Sequence, residues 1–349
     1  MGLIFVFFLR ASSAESVQSN DFAVETWQTD NGLPQNSVTD VFQSKNGYIY
    51  AGTYNGIARF DGVRFVIYDS ATAPELKNSR ITSLYQDKAG VIWIGHETGD
   101  VSWLEHGVFH SLEMGTNWPS TEIVGFGSDD GGNIWALNHA GSLVRLRDGK
   151  VIPPLPSPVN TPPGTPLLVE AGNGLWTTFR GVAAFVHDGE LEPFRFGATS
   201  ETAYFESTCP SRDGGLWVAG ERQMRKWSGG RDGKWTANLG AFPWDEAFIT
   251  TMIETHDGRL LVGTLDTGMY IFATNGVITH LSHTNGLPHD WIRSMAEDHE
   301  GNIWLGTGGG GLCVLRPRKV WMFGPPDAWQ NRSVLSVGRS PSDAIWAGT

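Results

Sequence analysis

The chain has 349 residues, 40% hydrophobic and 18% charged, enough to bury a sizeable core. With 37 acidic against 25 basic residues its formal net charge is -12, and it holds no Lys/Arg cluster, which argues against nucleic acid as a partner. Cys209 and Cys313 are the two cysteines; placed in non-adjacent repeats they read as buried free thiols, too far apart for a disulfide.

The first residues, Gly2 to Leu9, are an apolar run followed by Ala11-Ser12-Ser13-Ala14, with small residues where a signal peptidase would cut. The run is too short to span a bilayer, so residues 1–14 are expected to be a signal peptide and the remainder exported. Phe22 to Gln28 reads as a lone outer strand. It is followed by Asn31-Gly32-Leu33-Pro34, and the same tetrapeptide recurs as Asn285-Gly286-Leu287-Pro288, where one unit hands over to the next. The N-terminal strand is therefore expected to complete the last unit and to remove an exposed edge.

From residue 38 a repeat takes over. Its skeleton is a Gly, then an aromatic anchor three positions on, then a small residue two positions later. The anchors are Tyr50, Trp93, Trp135, Trp176, Trp217, Leu261, Trp304 and Trp346, spaced 41 to 44 residues apart. Such a period, filled with short alternating segments, is the signature of a β-propeller blade, which hides its apolar faces only by stacking on its neighbours. In the first copy, alternation predicts strands over 38–43, 48–52, 57–60 and 65–68, with turns at Lys45-Asn46-Gly47, Tyr54-Asn55-Gly56 and a two-residue hairpin turn at Asp61-Gly62. The fold class is thus all-β, a propeller of four-stranded antiparallel blades with seven repeats over residues 22–323. A Pro-rich loop, 153–166, separates the third and fourth copies. An eighth repeat, 331–349, stops just after its anchor and is expected to open a second propeller.

The segment WQTDNGLPQNSVTDVFQSKNGYIYAGTYNGIARFDG, residues 27–62, resembles the two-component regulator propeller, the periplasmic sensor region of bacterial hybrid two-component histidine kinases. ITSLYQDKAGVIWIGHETGDVSWL at 81–104 and WIRSMAEDHEGNIWLGTGGGGLCVL at 291–315 are similar to the same repeat. The resemblance implies tandem seven-bladed propellers, then a small β-sandwich, a membrane helix and a cytoplasmic output module, the chain's partners in one longer protein. The third and fourth copies depart from the pattern, with Leu137 and Thr178 in place of the small residue.

Chemical motifs are sparse. Gly306, Gly308 and Gly311 satisfy G-x-G-x-x-G, but between two strands they read as a glycine-rich hairpin and no dinucleotide site. His280, His283 and His289 lack a metal-site partner and read as loop histidines, so neither metal nor cofactor is expected. Asp87, Asp130, Asp213, Asp257 and Asp298 accompany the turn before the anchor and read as turn-forming carboxylates bonding backbone N–H groups. Nothing supplies a paired acid and nucleophile.

Aromatics off the template offer a binding surface. Trp118, Trp244 and Trp329 fall in connections between blades; Arg180, Arg222, Asp266, His96 and Glu97 fall in turns between second and third strands. Together they could ring the channel mouth with stacking surfaces and charges for an oligosaccharide or other polar ligand, although each Trp could equally cap the edge of its own blade. The expected function is a non-enzymatic, extracytoplasmic ligand-sensing or interaction module. The alternatives are a polysaccharide-acting lyase or glycosidase and a protein-interaction scaffold.

Overall fold

A computed structural model describes residues 21–112, 114, 118–147, 150–155, 167–171, 174–179, 182–187, 190–194, 196, 205–245, 247–318, 336–339 and 345–348. The period of the sequence becomes a period of sheets. After β1 (Phe22–Trp27), the first repeat folds as β2 (Val38–Gln43), β3 (Ile49–Thr53), β4 (Gly56–Phe60) and β5 (Phe65–Tyr68), antiparallel and hydrogen-bonded in that order. Five more blades repeat this order, each opening on an inner strand: β6 (Ile81–Gln86), β10 (Ile123–Ser128), β14 (Leu167–Ala171), β18 (Phe205–Pro210) and β22 (Ile249–Glu254). The seventh is β26 (Ile292–Glu297), β27 (Ile303–Thr307) and β28 (Leu312–Pro317), with β1 as its fourth strand. Each inner strand packs on the next and β26 packs on β2, so the seven blades close into a ring. There is no α-helix among the described residues.

The skeleton residues have separate physical jobs. The Gly three before the anchor has positive φ at all six of Gly47, Gly90, Gly132, Gly214, Gly258 and Gly301, between 74° and 93°. At Gly47 and Gly132 a Cβ would meet nothing within 4 Å, so the left-handed backbone, and not crowding, demands glycine there. Crowding governs the small residue two after the anchor. A Cβ on Gly95 would lie 2.6 Å from the Cβ of Ile123, on Gly263 2.8 Å from Ile292 Cγ2, and on Gly306 2.9 Å from Val38 Cγ1. Each of these partners is the first residue of the next blade's inner strand. Blade three breaks the rule: Leu137 is fully buried there against Leu175 and Val186 of blade four. Blade four is also the blade whose inner strand β14 lacks the register shift found in the other six.

Six residues before the anchor sits the group that holds it. Asp87, Asp129 and Asp298 accept the indole N–H of Trp93, Trp135 and Trp304 at 2.9, 2.9 and 2.8 Å, and each also accepts the backbone N–H of its own turn. In the third copy the carboxylate is Asp129, not the expected Asp130. Asp213 and Asp257 stand two positions later; Ser211 and Thr255 occupy the slot, and the Trp217 indole donates instead to Glu254 of the following blade at 3.0 Å. The hairpin turn after β4 uses Gly62-Val63 as its two central residues, one position later than expected, with Asp61 N–H donating to the Arg64 carbonyl and Gly62 at φ 96°.

Blades are also stitched by side chains at the repeat spacing. The second inner-strand residue is a bulged threonine in three blades: Thr39 donates to the Ile81 carbonyl at 2.9 Å, Thr82 to Ile123 at 2.7 Å, and Thr250 to Ile292. At the other end of inner strands β6, β22, β26 and β2, Gln86, Glu254, Glu297 and Gln43 accept the turn N–H of Lys45, Arg212, His256 and His299 from the preceding blade. The last of these crosses from blade seven to blade one, as does Ser294 Oγ to Asp40 at 2.7 Å. β1 pairs with β28 from Phe22–Pro317 to Trp27–Leu312, so the N-terminal strand closes the ring as expected. Farther on, β29 (Ser336–Arg339) pairs with β30 (Ile345–Gly348), the strand that carries Trp346. The expected signal peptide and part of the Pro-rich loop lie outside the described residues.

Candidate functional site

Because successive strands alternate in direction, the turns between second and third strands and the connections between blades gather at one end of the ring. At that end, around the seam between blades seven, one and two, charged and aromatic side chains converge. Arg293 is the second residue of β26, the position that carries a threonine clasp in three other blades. Its guanidinium lies 4.7 Å from the Trp291 ring centre and 5.2 Å from that of Tyr54, and donates to the Tyr54 hydroxyl at 2.8 Å. Tyr54 sits in the β3–β4 turn, its backbone N–H held by Gln35 at 3.1 Å. Arg80, just before β6, lies 4.6 Å from the same ring and donates to Glu97 at 2.8 Å. Those hydrogen bonds hold the Glu97 carboxyl below its ordinary pKa and raise that of Arg80.

The glycine run after β27 makes room for this wall. A Cβ on Gly308 would lie 2.3 Å from the Trp291 ring, and one on Gly310 2.9 Å from the His289 Cβ. The run is the glycine-rich hairpin that the sequence suggests, and the indole is what it accommodates.

Inside the channel a cavity of about 340 Å³ is lined by Tyr85, Phe126, Glu170, Thr208, Thr251 and their neighbours on inner strands. Burial raises the pKa of Asp40, against hydrogen bonds from Ser294 and the backbone N–H groups of Leu84 and Val41. Glu170 accepts from both Tyr85 and the Ser128 backbone N–H. Glu206 breaks the threonine pattern in blade five as Arg293 does in blade seven; burial pushes its carboxyl pKa up, with the Arg222 charge opposing.

The residues singled out from sequence fare unevenly. Glu97 is at the mouth, paired with Arg80. His96 is fully buried with its Nε2 2.9 Å from Ser102 Oγ, and burial, partly opposed by the Asp100 charge, lowers its pKa to about 4. Trp118 and Trp244 are 7% and 5% exposed and belong to apolar clusters between blades two and three and between blades five and six. Trp118 donates to the Gly99 carbonyl at 3.0 Å, and Trp244 stacks on Phe242 at 4.8 Å, so both rings are buried in the packing between blades. Arg222, at φ 59°, holds the carbonyls of Trp244 and Asp245. Asp266 is exposed on its turn. Arg180 and Trp329 lie outside the described residues. Sequence reading missed Arg293, Tyr54, Trp291 and Arg80; comparing the repeats column by column at the threonine position would have exposed Arg293.

His280 stacks on Tyr270 at 4.4 Å, His283 pairs with Asp290, and His289 accepts the Trp291 backbone N–H at 2.9 Å. No group of metal-binding side chains occurs among the described residues. Both cysteines are free and buried, and burial raises their thiol pKa values.

Comparison with known proteins bears on these repeats directly. Residues 32–55, 75–98 and 286–309 match the family described as two component regulator propeller. These are two-component regulator propeller repeats. The chain is similar, at 19% identity and a TM-score of 0.68 over 94% of its length, to an extracellular domain assigned to a hybrid two-component system of B. thetaiotaomicron. A second such domain of that organism, assigned to a one-component system, is 19% identical with a TM-score of 0.66 over 95% of the chain. The chain spans under half of each, 47% and 45%. It is also similar to virginiamycin B lyase from Staphylococcus aureus, at 13% identity and a TM-score of 0.65, over 84% of this chain and 99% of the lyase. These likenesses establish the propeller fold. No curated protein sequence matches.

Proposed function

We propose that this propeller is the extracytoplasmic sensing module of a two-component signal-transduction protein, and that it binds a polar ligand at the channel mouth over the seam. The observation that carries the reading is the convergence, within two-component regulator propeller repeats, of Arg293, Tyr54, Trp291 and the Arg80–Glu97 pair where the ring closes. Stacking rings beside charged hydrogen-bonding groups suit a polar ligand such as an oligosaccharide. Binding is favoured over catalysis because the channel carboxylates of Asp40 and Glu170 are already engaged by protein donors.

The mouth draws on blades seven, one and two. A ligand that touches all three favours the closed seam over any arrangement in which they separate, and it shifts the sensor by no more than that difference in affinity. Downstream modules of a longer protein would read the shift, and β29 and β30 would begin a second propeller. The reading places the chain in the periplasm, with its parent anchored in the inner membrane. The test is to express the whole gene product in membranes and measure phosphoryl transfer to its response partner across a panel of sugars and organic acids. A saturable change that is lost on substituting Arg293 supports the reading; output indifferent to every compound and to the mouth residues contradicts it.

A further inference from the structure

The two guanidinium groups that flank Tyr54 differ in one respect. Arg80 has its carboxylate, Glu97; Arg293 has none among the described residues, and its polar partner there is the Tyr54 hydroxyl at 2.8 Å. That hydroxyl accepts from Arg293, which leaves its own proton for a further acceptor. Asp40, the carboxylate that bridges the seam to Ser294, has both oxygens committed, Oδ1 to Ser294 and the Val41 N–H, Oδ2 to the Leu84 N–H. The mouth therefore holds a cation with no carboxylate partner among the described residues, half-buried and fixed between two aromatic rings, beside a hydroxyl proton left free to donate.

The repeat shows that this cation is not required by the fold. Thr39, Thr82 and Thr250 stand at the same bulged position and donate to the next blade's first inner-strand carbonyl. Blades three and four place Val124 and Leu168 there and blade five Glu206, so the fold accepts apolar residues at the position where blade seven carries a cation, and Gly308 leaves room for the Trp291 ring beside it. Departures from a repeat's own structural rule gather where function is carried.

Deepening the sensing reading on which it rests, we infer that Arg293 is the carboxylate-binding residue of the mouth: the ligand is an organic acid whose carboxylate pairs with the guanidinium, accepts from the Tyr54 hydroxyl, and whose body lies along the Trp291 ring. A planar guanidinium held at a fixed angle suits a carboxylate far better than it suits a neutral hydroxyl.

Calorimetry on the full chain tests this with benzoate and glucuronate as probes and with benzyl alcohol and glucose as their uncharged counterparts. The charged probes should give saturable heats that weaken with added salt, and the neutral ones none. Arg293→Met should weaken binding at least about 10-fold, and Tyr54→Phe, which keeps the ring, about 3- to 10-fold. If Arg293→Met fails to fold, the Tyr54→Phe result decides. Heats from neither charged probe, equal heats from charged and neutral probes, or heats unchanged in Arg293→Met overturn the assignment. Each of those results leaves the sensing reading to the phosphoryl-transfer measurement, where a neutral ligand could still act.

Discussion

Burial keeps the His96 imidazole neutral in the folded chain, with a pKa of about 4 against about 6.5 when exposed. Below about pH 6.5 the unfolded chain takes up a proton that the folded chain refuses until about pH 4, so stability must fall as the pH drops through that window. The loss attributable to this residue is on the order of 3 kcal/mol at the acid end. Urea unfolding at pH 7 and pH 4.5 should show a larger decrease for the wild type than for His96→Gln; equal decreases would show that the imidazole does not govern the acid limb. A second residue-level case is Asp298, which serves the Trp304 indole and the backbone N–H groups of Glu300 and Asn302. Asp298→Ala leaves buried donors without an acceptor and should cost ~2 to 3 kcal/mol, read as a lowered urea midpoint at unchanged slope.

Blade-to-blade contact rests on a small number of interlocking positions. Gly95 faces Ser83 Oγ at 2.4 Å and Ile123 Cβ at 2.6 Å from where a Cβ would stand. Gly95→Val should therefore destabilise by about 1–3 kcal/mol or more through overpacking, and Ile123→Ala in the same chain should recover part of it, a coupling that a double-mutant cycle in urea would measure. Additive costs would place the strain elsewhere. The strands and their period were legible in the sequence because alternation and turn glycines are local signals, and the φ values at Gly47 and its equivalents confirm what the turn required. The reason for the small residue after the anchor was not legible, since its partner is the first residue of the next inner strand. The mouth was legible only at Glu97. Trp118 and Trp244 look like free aromatics along the chain, yet each is buried in an apolar cluster between two blades, and Arg293 is recognisable only against the threonines of other repeats.

The ring as a whole is made from sequential blades with one exception, the seam, where the first strand of the chain completes the last blade. Closure there joins β1 to β28, Gln43 to the His299 N–H, Asp40 to Ser294 and Tyr54 to Arg293. Removing β1 exposes the edge of β28 and strips the Trp27 ring from its stack on Trp304 at 5.5 Å. A chain beginning after Gln28 should melt at lower temperature and self-associate in sedimentation, whereas a monomer of unchanged stability would mean that β1 does not hold the ring. The seam bears on the proposed function because the residues of the proposed ligand site come from both sides of it. Hydrogen exchange followed by mass spectrometry addresses this most directly. The structure predicts that amides of 22–27 and 312–317 exchange together and as slowly as the central blades; exchange of 22–27 within seconds, with the rest protected, would mean an open ring and no assembled mouth.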